Sequence, residues 1–116
     1  MEPREDQIKR AYEDLRTARV EMHEVSERDL VARTTLKQKE AALLLSGAII
    51  GKNAETRDAQ LKEGCQAEIV RLEGAETEKR LLQCCFDLAN ITVNEIQWQI
   101  RNDQAIADLS AQNFVT

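Results

Sequence analysis

The sequence is poor in the residues from which sheets and their turns are built. Its 116 residues include one Trp, one Tyr and two Phe, so aromatic residues make up only 3% of the chain. It has four Gly and a single Pro, which is residue 3. A sheet protein of this size needs a turn roughly every ten residues, and Gly and Pro mark most such turns. These shortages argue against most all-β and α/β folds and favour an all-α protein.

The sequence also has no basic excess and no long apolar run, and its first residues do not predict a leader. Sixteen Lys and Arg face 21 Asp and Glu, a net charge of −5, whereas nucleic-acid binders are usually basic. The first ten residues, MEPREDQIKR, are too highly charged for a signal peptide, and no apolar run is long enough to span a bilayer. We therefore expect a cytoplasmic protein whose three cysteines are reduced thiols.

Residues 1–50 follow a seven-residue repeat with two apolar columns. Large residues dominate one column and small residues dominate the other. The columns are Ile8, Leu15, Met22, Asp29, Leu36, Leu43 and Ile50, and Ala11, Ala18, Val25, Ala32, Lys39 and Ser46. This heptad pattern predicts a first helix over about residues 3–47 that packs along another helix. The small residues would let that second helix approach closely.

Asp29 interrupts the column of large residues. Because Ser26 to Asp29 resemble a capping box, a break near Ser26 is the alternative to a continuous helix. An unchanged register on both sides of Asp29 favours the continuous helix. Polar residues in heptad seams usually trade stability for register, so Asp29→Leu is expected to stabilise the protein. The opposite is expected if Asp29 caps a break or meets a basic partner such as Lys79.

Gly47, Gly51 and Asn53 predict a turn over about residues 47–53, because Gly ends helices and Asn caps new ones. A second helix should then run over about residues 54–111, with a break near Gly64 as the alternative, before a frayed tail at 112–116. The predicted fold is a single all-α domain, an antiparallel coiled-coil-like hairpin. Its predicted core is Ile8, Leu15, Met22, Leu36, Leu43, Leu72, Leu82, Phe86, Val93, Ile96 and Ile100.

The second helix carries more apolar surface than a hairpin needs. Between Arg80 and Arg101 the charged residues are Asp87 and Glu95. A second apolar stripe lies there beside the heptad core, made of Leu81, Cys84, Leu88, Ile91 and Trp98. Such a stripe must be covered, and a symmetric dimer lets one patch cover itself. We therefore expect a homo-oligomer, with a dimer favoured over a local refolding of the first helix or a different docking partner.

Sequence motifs for catalysis or metal binding are weak. Cys65 lies 19 residues before Cys84, so the two cannot meet within one straight helix, and His23 is a lone histidine. Gly47 and Gly51 have one residue too few between them for a phosphate-binding loop, and Asn53 replaces its Ser or Thr. We expect no enzyme activity, no cofactor and no metal.

Residues 50–61, with the sequence IGKNAETRDAQL, resemble an element found in small helical proteins of bacteriophages and prophages. In those proteins a long helix ends in a Gly-Lys-Asn turn, and an Arg and a Gln-Leu pair precede a charged second helix. The resemblance implies a phage or prophage origin and an accessory role in the host cytoplasm. The second helix is more apolar over residues 81–100 than is usual in that group.

Two functional hypotheses follow from these observations. The first is a non-enzymatic, phage-encoded interaction protein that binds, and so inhibits, a host protein or defence complex. The alternative is an oligomeric accessory factor for phage DNA replication or recombination, in which assembly aligns modest basic faces into a nucleic-acid track. Strong loss of binding with added salt is typical of the second.

Overall fold

A computed structural model describes the backbone of residues 3–115 and the side chains of residues 4–112. The elements in that range are three α-helices: α1 at Pro3–Leu45, α2 at Ala54–Gly64 and α3 at Gln66–Val115. The all-α prediction is confirmed for the described residues. None of these helices combines the length and the apolar character needed to cross a membrane.

The first helix is continuous through the position where a break was the alternative. α1 runs unbroken past Ser26, in agreement with the constant heptad register, and ends at Leu45, two residues before the predicted boundary. Glu5 and Asp6 lie in its first turn, where carboxylates interact favourably with the positive end of the helix dipole.

Residues 46–53 connect α1 to α2 in an ordered loop. Gly47 has a φ of +78°, a left-handed conformation that is costly for residues with a Cβ. The side chain of Gln60 accepts hydrogen bonds from the backbone N–H groups of Ile50 and Gly51, both at 3.0 Å. Asn53 caps α2 by accepting a 2.8 Å hydrogen bond from the N–H of Thr56. The side chain of Gln60 in α2 therefore satisfies two backbone groups of the loop, and the loop residue Asn53 satisfies one of α2.

The predicted second helix is two helices, separated at Cys65. The N–H of Cys65 donates to the carbonyl of Leu61 at 2.9 Å, and its own carbonyl accepts from Ile69 at 2.9 Å, so helical hydrogen bonding continues across the break. A Cβ on Gly64 would lie 2.8 Å from Cδ1 of Leu43. Gly64 thus allows a close approach of α1. It is also the last residue of α2, and a break near Gly64 was the alternative to one long second helix.

The last helix extends past the boundary at about residue 111 that the sequence predicts. α3 continues to Val115 because no Gly or Pro follows Ala111 to end it. Thr116 lies outside the described residues.

The chain divides into two compact units, and α1 and α3 each contribute to both. Residues 21–82 form the middle unit, and residues 1–20 with 83–116 form the terminal unit. In the middle unit the buried residues are Val25, Asp29, Ala32 and Cys65. Around them the predicted core residues Met22, Leu36, Leu43, Leu72 and Leu82 are half-buried.

The terminal unit has the same organisation. Its buried residues are Ala11, Ala18 and Val93. Of the predicted core residues, Ile8, Leu15, Phe86 and Ile96 are half-buried and Ile100 is exposed. In both units the alanines of the small heptad column are more buried than the large apolar residues of the other α1 column.

Candidate protein-interaction face

The terminal unit presents an apolar face on α3 that its own α1 segment leaves uncovered. Cys84, Leu88, Ile91 and Trp98 recur at steps of three, four and seven residues, which places them on one side of the helix. All four are exposed, and 66% of Trp98 and 60% of Leu88 are accessible to water. Val93, on the opposite side of α3, is only 4% exposed. Leu81, the fifth residue predicted for this stripe, is also exposed but belongs to the middle unit.

The face extends further along α3 than the sequence analysis had placed it. Ile106 and Leu109 continue the same spacing beyond Trp98, and they are 55% and 61% exposed. The stripe predicted from the sequence ended at Trp98. We call the enlarged set the α3 stripe: Cys84, Leu88, Ile91, Trp98, Ile106 and Leu109.

Two polar residues interrupt the α3 stripe. Glu95 lies between Ile91 and Trp98, and Asn102 lies between Trp98 and Ile106; both are exposed. The nearby charge is mostly acidic, because Arg101 is the single Lys or Arg in residues 81–116. A partner for this face must therefore offer apolar side chains together with groups that can pair with a carboxylate.

Two polar contacts hold α3 against α1 in the terminal unit. Nε2 of Gln97 donates a 2.7 Å hydrogen bond to the hydroxyl of Tyr12. A guanidinium nitrogen of Arg4 lies 2.7 Å from Oδ2 of Asp103. The order of these pairs shows that the two segments run in opposite directions. Together with Val93 on the inner side, the contacts turn the α3 stripe toward solvent.

The middle unit contains a charge cluster in which the carboxylate of Asp29 is buried and its partners are partly exposed. Oδ2 of Asp29 accepts a 3.0 Å hydrogen bond from Nε of Arg33 and lies 3.7 Å from Nζ of Lys79. Arg33 also donates to Glu76 at 3.1 Å, and Arg28 donates to Glu78 at 2.7 Å. These pairs join α1 to α3 at one register. The basic partner that would reverse the expected effect of Asp29→Leu is thus present, and we now expect that substitution to destabilise the protein.

The electrostatics of Asp29 give a prediction for pH. The hydrogen bond from Arg33 lowers the pKa of Asp29 below its ordinary value of 3.8; burial opposes this, and the charges of Arg33 and Lys79 add to it. A lowered folded-state pKa means that the ionised group stabilises the fold above its unfolded pKa and that this contribution is lost as the pH falls through the folded pKa. We expect Asp29→Asn to melt below wild type at pH 7, and the gap to close under acid.

Thermal melts by circular dichroism between pH 7 and pH values below 3.8 would measure this gap. Asp14→Asn is the matched control, because Asp14 is an exposed carboxylate on the same helix. The control should stay close to wild type across the range. A melting temperature of Asp29→Asn that equals wild type at pH 7, or a gap that does not change with pH, would contradict the role given to the cluster.

The cysteines lie in different environments. Cys65 is fully buried, and burial, followed by the charges of Glu40 and Glu68, raises the pKa of its thiol. Cys84 and Cys85 are exposed and free. Among the residues that the structure describes, no group of three or more His, Cys, Asp or Glu is arranged to hold a metal ion.

Comparison of the chain with protein families, curated proteins and solved structures gives no match. The exposed apolar residues of α3 and the acidic residues around them are therefore the features from which a function can be inferred.

Proposed function

We propose that this protein is a non-enzymatic protein-interaction module that binds its partner through the α3 stripe. The observation that carries the proposal is the exposure of Leu88, Ile91 and Trp98 on a helix whose other side is already packed. Burial of each such side chain is worth about 1.5–3 kcal/mol, and contiguous exposed apolar surface of this kind marks interaction sites. In the proposed architecture, α1 and α3 form an antiparallel coiled-coil-like hairpin that assembles with other chains through this stripe.

The charge around the stripe favours a protein partner over nucleic acid. Asp87, Glu95 and Asp108 accompany Arg101 on this part of α3, so a phosphate backbone would meet net negative charge. Trp98 is the one aromatic ring of the described stripe and has no neighbouring basic residues besides Arg101, whereas strand-binding surfaces combine several rings with positive grooves. An apolar helix or groove on another protein would not be repelled by the acidic residues and would not need several aromatic rings.

The biological role that we propose follows from the resemblance of residues 50–61 to the phage element. A phage-encoded module of this size and acidity would act in the host cytoplasm by occupying a surface of a host protein or defence complex. Such inhibition requires binding alone, which suits a chain whose distinctive surface is apolar rather than catalytic.

Affinity purification of the tagged chain from the cells that express it would test the proposal. Wild type should recover protein in stoichiometric amount, and the recovery should survive nuclease and added salt, because apolar contacts are not screened. Leu88→Glu combined with Ile91→Lys should abolish it. Val20→Glu with Gln104→Lys is the matched control, since both residues are exposed in the terminal unit outside the stripe. Recovery of nucleic acid alone, lost steeply with salt, would refute the proposal in favour of the DNA accessory role.

A further inference from the structure

Four of the six residues of the α3 stripe are arranged symmetrically about one point on the helix. Leu88 and Leu109 lie equally far from the peptide that joins Trp98 to Gln99, and so do Ile91 and Ile106. The two polar residues obey the same symmetry, because Glu95 and Asn102 are also equidistant from that peptide. Each pair matches like with like: leucine with leucine, isoleucine with isoleucine and polar with polar. Trp98 and Cys84 lie outside these matched pairs, since their counterparts are Gln99 and Asn113. The six matched positions make this face complementary to an antiparallel copy of itself.

We propose that the partner of the α3 stripe is a second copy of this chain, packed antiparallel about a two-fold axis beside Trp98. The inference rests on the proposed function, since it names the occupant of the same face; a host protein would then be bound by the assembled dimer, which the stripe holds together. In this arrangement Leu88 of each copy lies level with Leu109 of the other, and Ile91 lies level with Ile106. The two Trp98 rings meet near the axis. Such a contact is isologous, the commonest type in soluble dimers.

The polar residues favour the antiparallel orientation over the parallel one. Antiparallel packing sets Glu95 level with Asn102 of the other copy, whose amide can donate to the carboxylate, and one residue away from the other copy's Arg101. Parallel packing in register would place Glu95 beside a second Glu95 within an apolar contact, where like charges repel. Asp103 of the other copy is also one residue away from this level, but its carboxylate is paired with Arg4. The antiparallel orientation therefore offers Glu95 a hydrogen-bond donor and avoids the Glu95–Glu95 repulsion.

The C-terminal part of α3 supplies an independent observation. Arg4, one residue after the start of α1, pairs with Asp103, and every described side chain from Arg101 to Gln112 is exposed. A helical segment of about a dozen residues without tertiary packing is marginal in water. The second copy would supply the missing packing, because its Leu88 and Ile91 lie level with Leu109 and Ile106 of the first. The same contact covers the exposed stripe and supports the end of the helix.

Disulfide cross-linking at paired positions tests the orientation. In full-length chains with Cys84→Ser and Cys85→Ser, Leu88→Cys would be placed in a tagged chain and Leu109→Cys in an untagged one. On mixing and mild oxidation, the disulfide should join a tagged to an untagged chain. Like chains should not cross-link, since two Leu88 positions would be 21 residues apart along the paired helices, roughly 31 Å, far beyond disulfide reach. Val20→Cys replaces Leu109→Cys in the control mixture, which should give no specific product.

Three results would overturn the inference. Disulfides between like chains, at Leu88 or at Leu109, would show a parallel arrangement. Equal yields in the Val20→Cys control would show random collision. A mass of 13.2 kDa by light scattering at micromolar concentration would show that no second copy binds. In the last case, stripe-dependent recovery of a different protein in the affinity experiment would leave the proposed function standing while removing the second copy as its partner.

Discussion

Ala18→Phe should lower the free energy of unfolding by about 1–3 kcal/mol, because a large side chain would replace a small buried one. Ala18 is 7% exposed, and it belongs to the small heptad column, whose alanines are more buried than the large apolar residues of the other α1 column. A phenyl ring at this position cannot be accommodated without moving α1 away from α3 in the terminal unit. The contacts of Tyr12 with Gln97 and of Arg4 with Asp103 would then be strained or lost.

Urea unfolding followed by circular dichroism would measure the loss. Ala41→Phe is the matched control, because Ala41 is exposed on the same helix and the ring can lie in water. Phenylalanine is a somewhat poorer helix former than alanine, so the control should cost only about half a kcal/mol. A loss at Ala18 no larger than the loss at Ala41 would mean that the small column does not set the approach of the helices.

The helices themselves could be predicted from the sequence, because their signals are local. A constant heptad register across Asp29 indicated one continuous helix, and α1 is continuous. Gly47 and Asn53 marked the connection through their own backbone preferences, a left-handed turn and a helix cap. The separation of α2 from α3 at Cys65 could be anticipated only as an alternative, near Gly64. The close approach of Gly64 to Leu43 on α1 could not be anticipated. The spacing of residues within one helix does not specify their distance from a residue on another helix.

The candidate site was predicted in part. Leu88, Ile91 and Trp98 could be identified because a helix in a hairpin needs one apolar stripe and this one has two. Ile106 and Leu109 were missed, because their exposure depends on whether α1 covers them. That in turn depends on how α1 and α3 are aligned along their length. The pairing of Arg4 with Asp103 fixes that alignment, and it is visible only in three dimensions. Asp29 is similar: its position in the heptad was evident, but its contacts with Arg33 and Lys79 were not.

Leu88→Glu combined with Ile91→Lys should convert a dimer into a monomer. Wild type should have about twice the 13.2 kDa mass of one chain at micromolar concentration, and the variant should have the mass of one chain. A two-fold contact repeats each loss, so four large side chains lose their burial, at about 1.5–3 kcal/mol each. A loss of about 6 kcal/mol already weakens association about ten-thousand-fold. The new charges would also face the apolar Leu109 and Ile106 of the second copy.

Light scattering and circular dichroism on the same samples separate loss of assembly from loss of folding. The variant should retain most of its helix, because Leu88 and Ile91 point away from the packed side of α3, where Val93 is buried. A small decrease is expected from the segment after Asp103, which loses the chain that supports it. Val20→Glu with Gln104→Lys introduces the same two charges outside the stripe and should remain dimeric. A dimer that survives Leu88→Glu with Ile91→Lys would place the contact between the chains on a different surface. A monomeric wild type would contradict the proposed dimer.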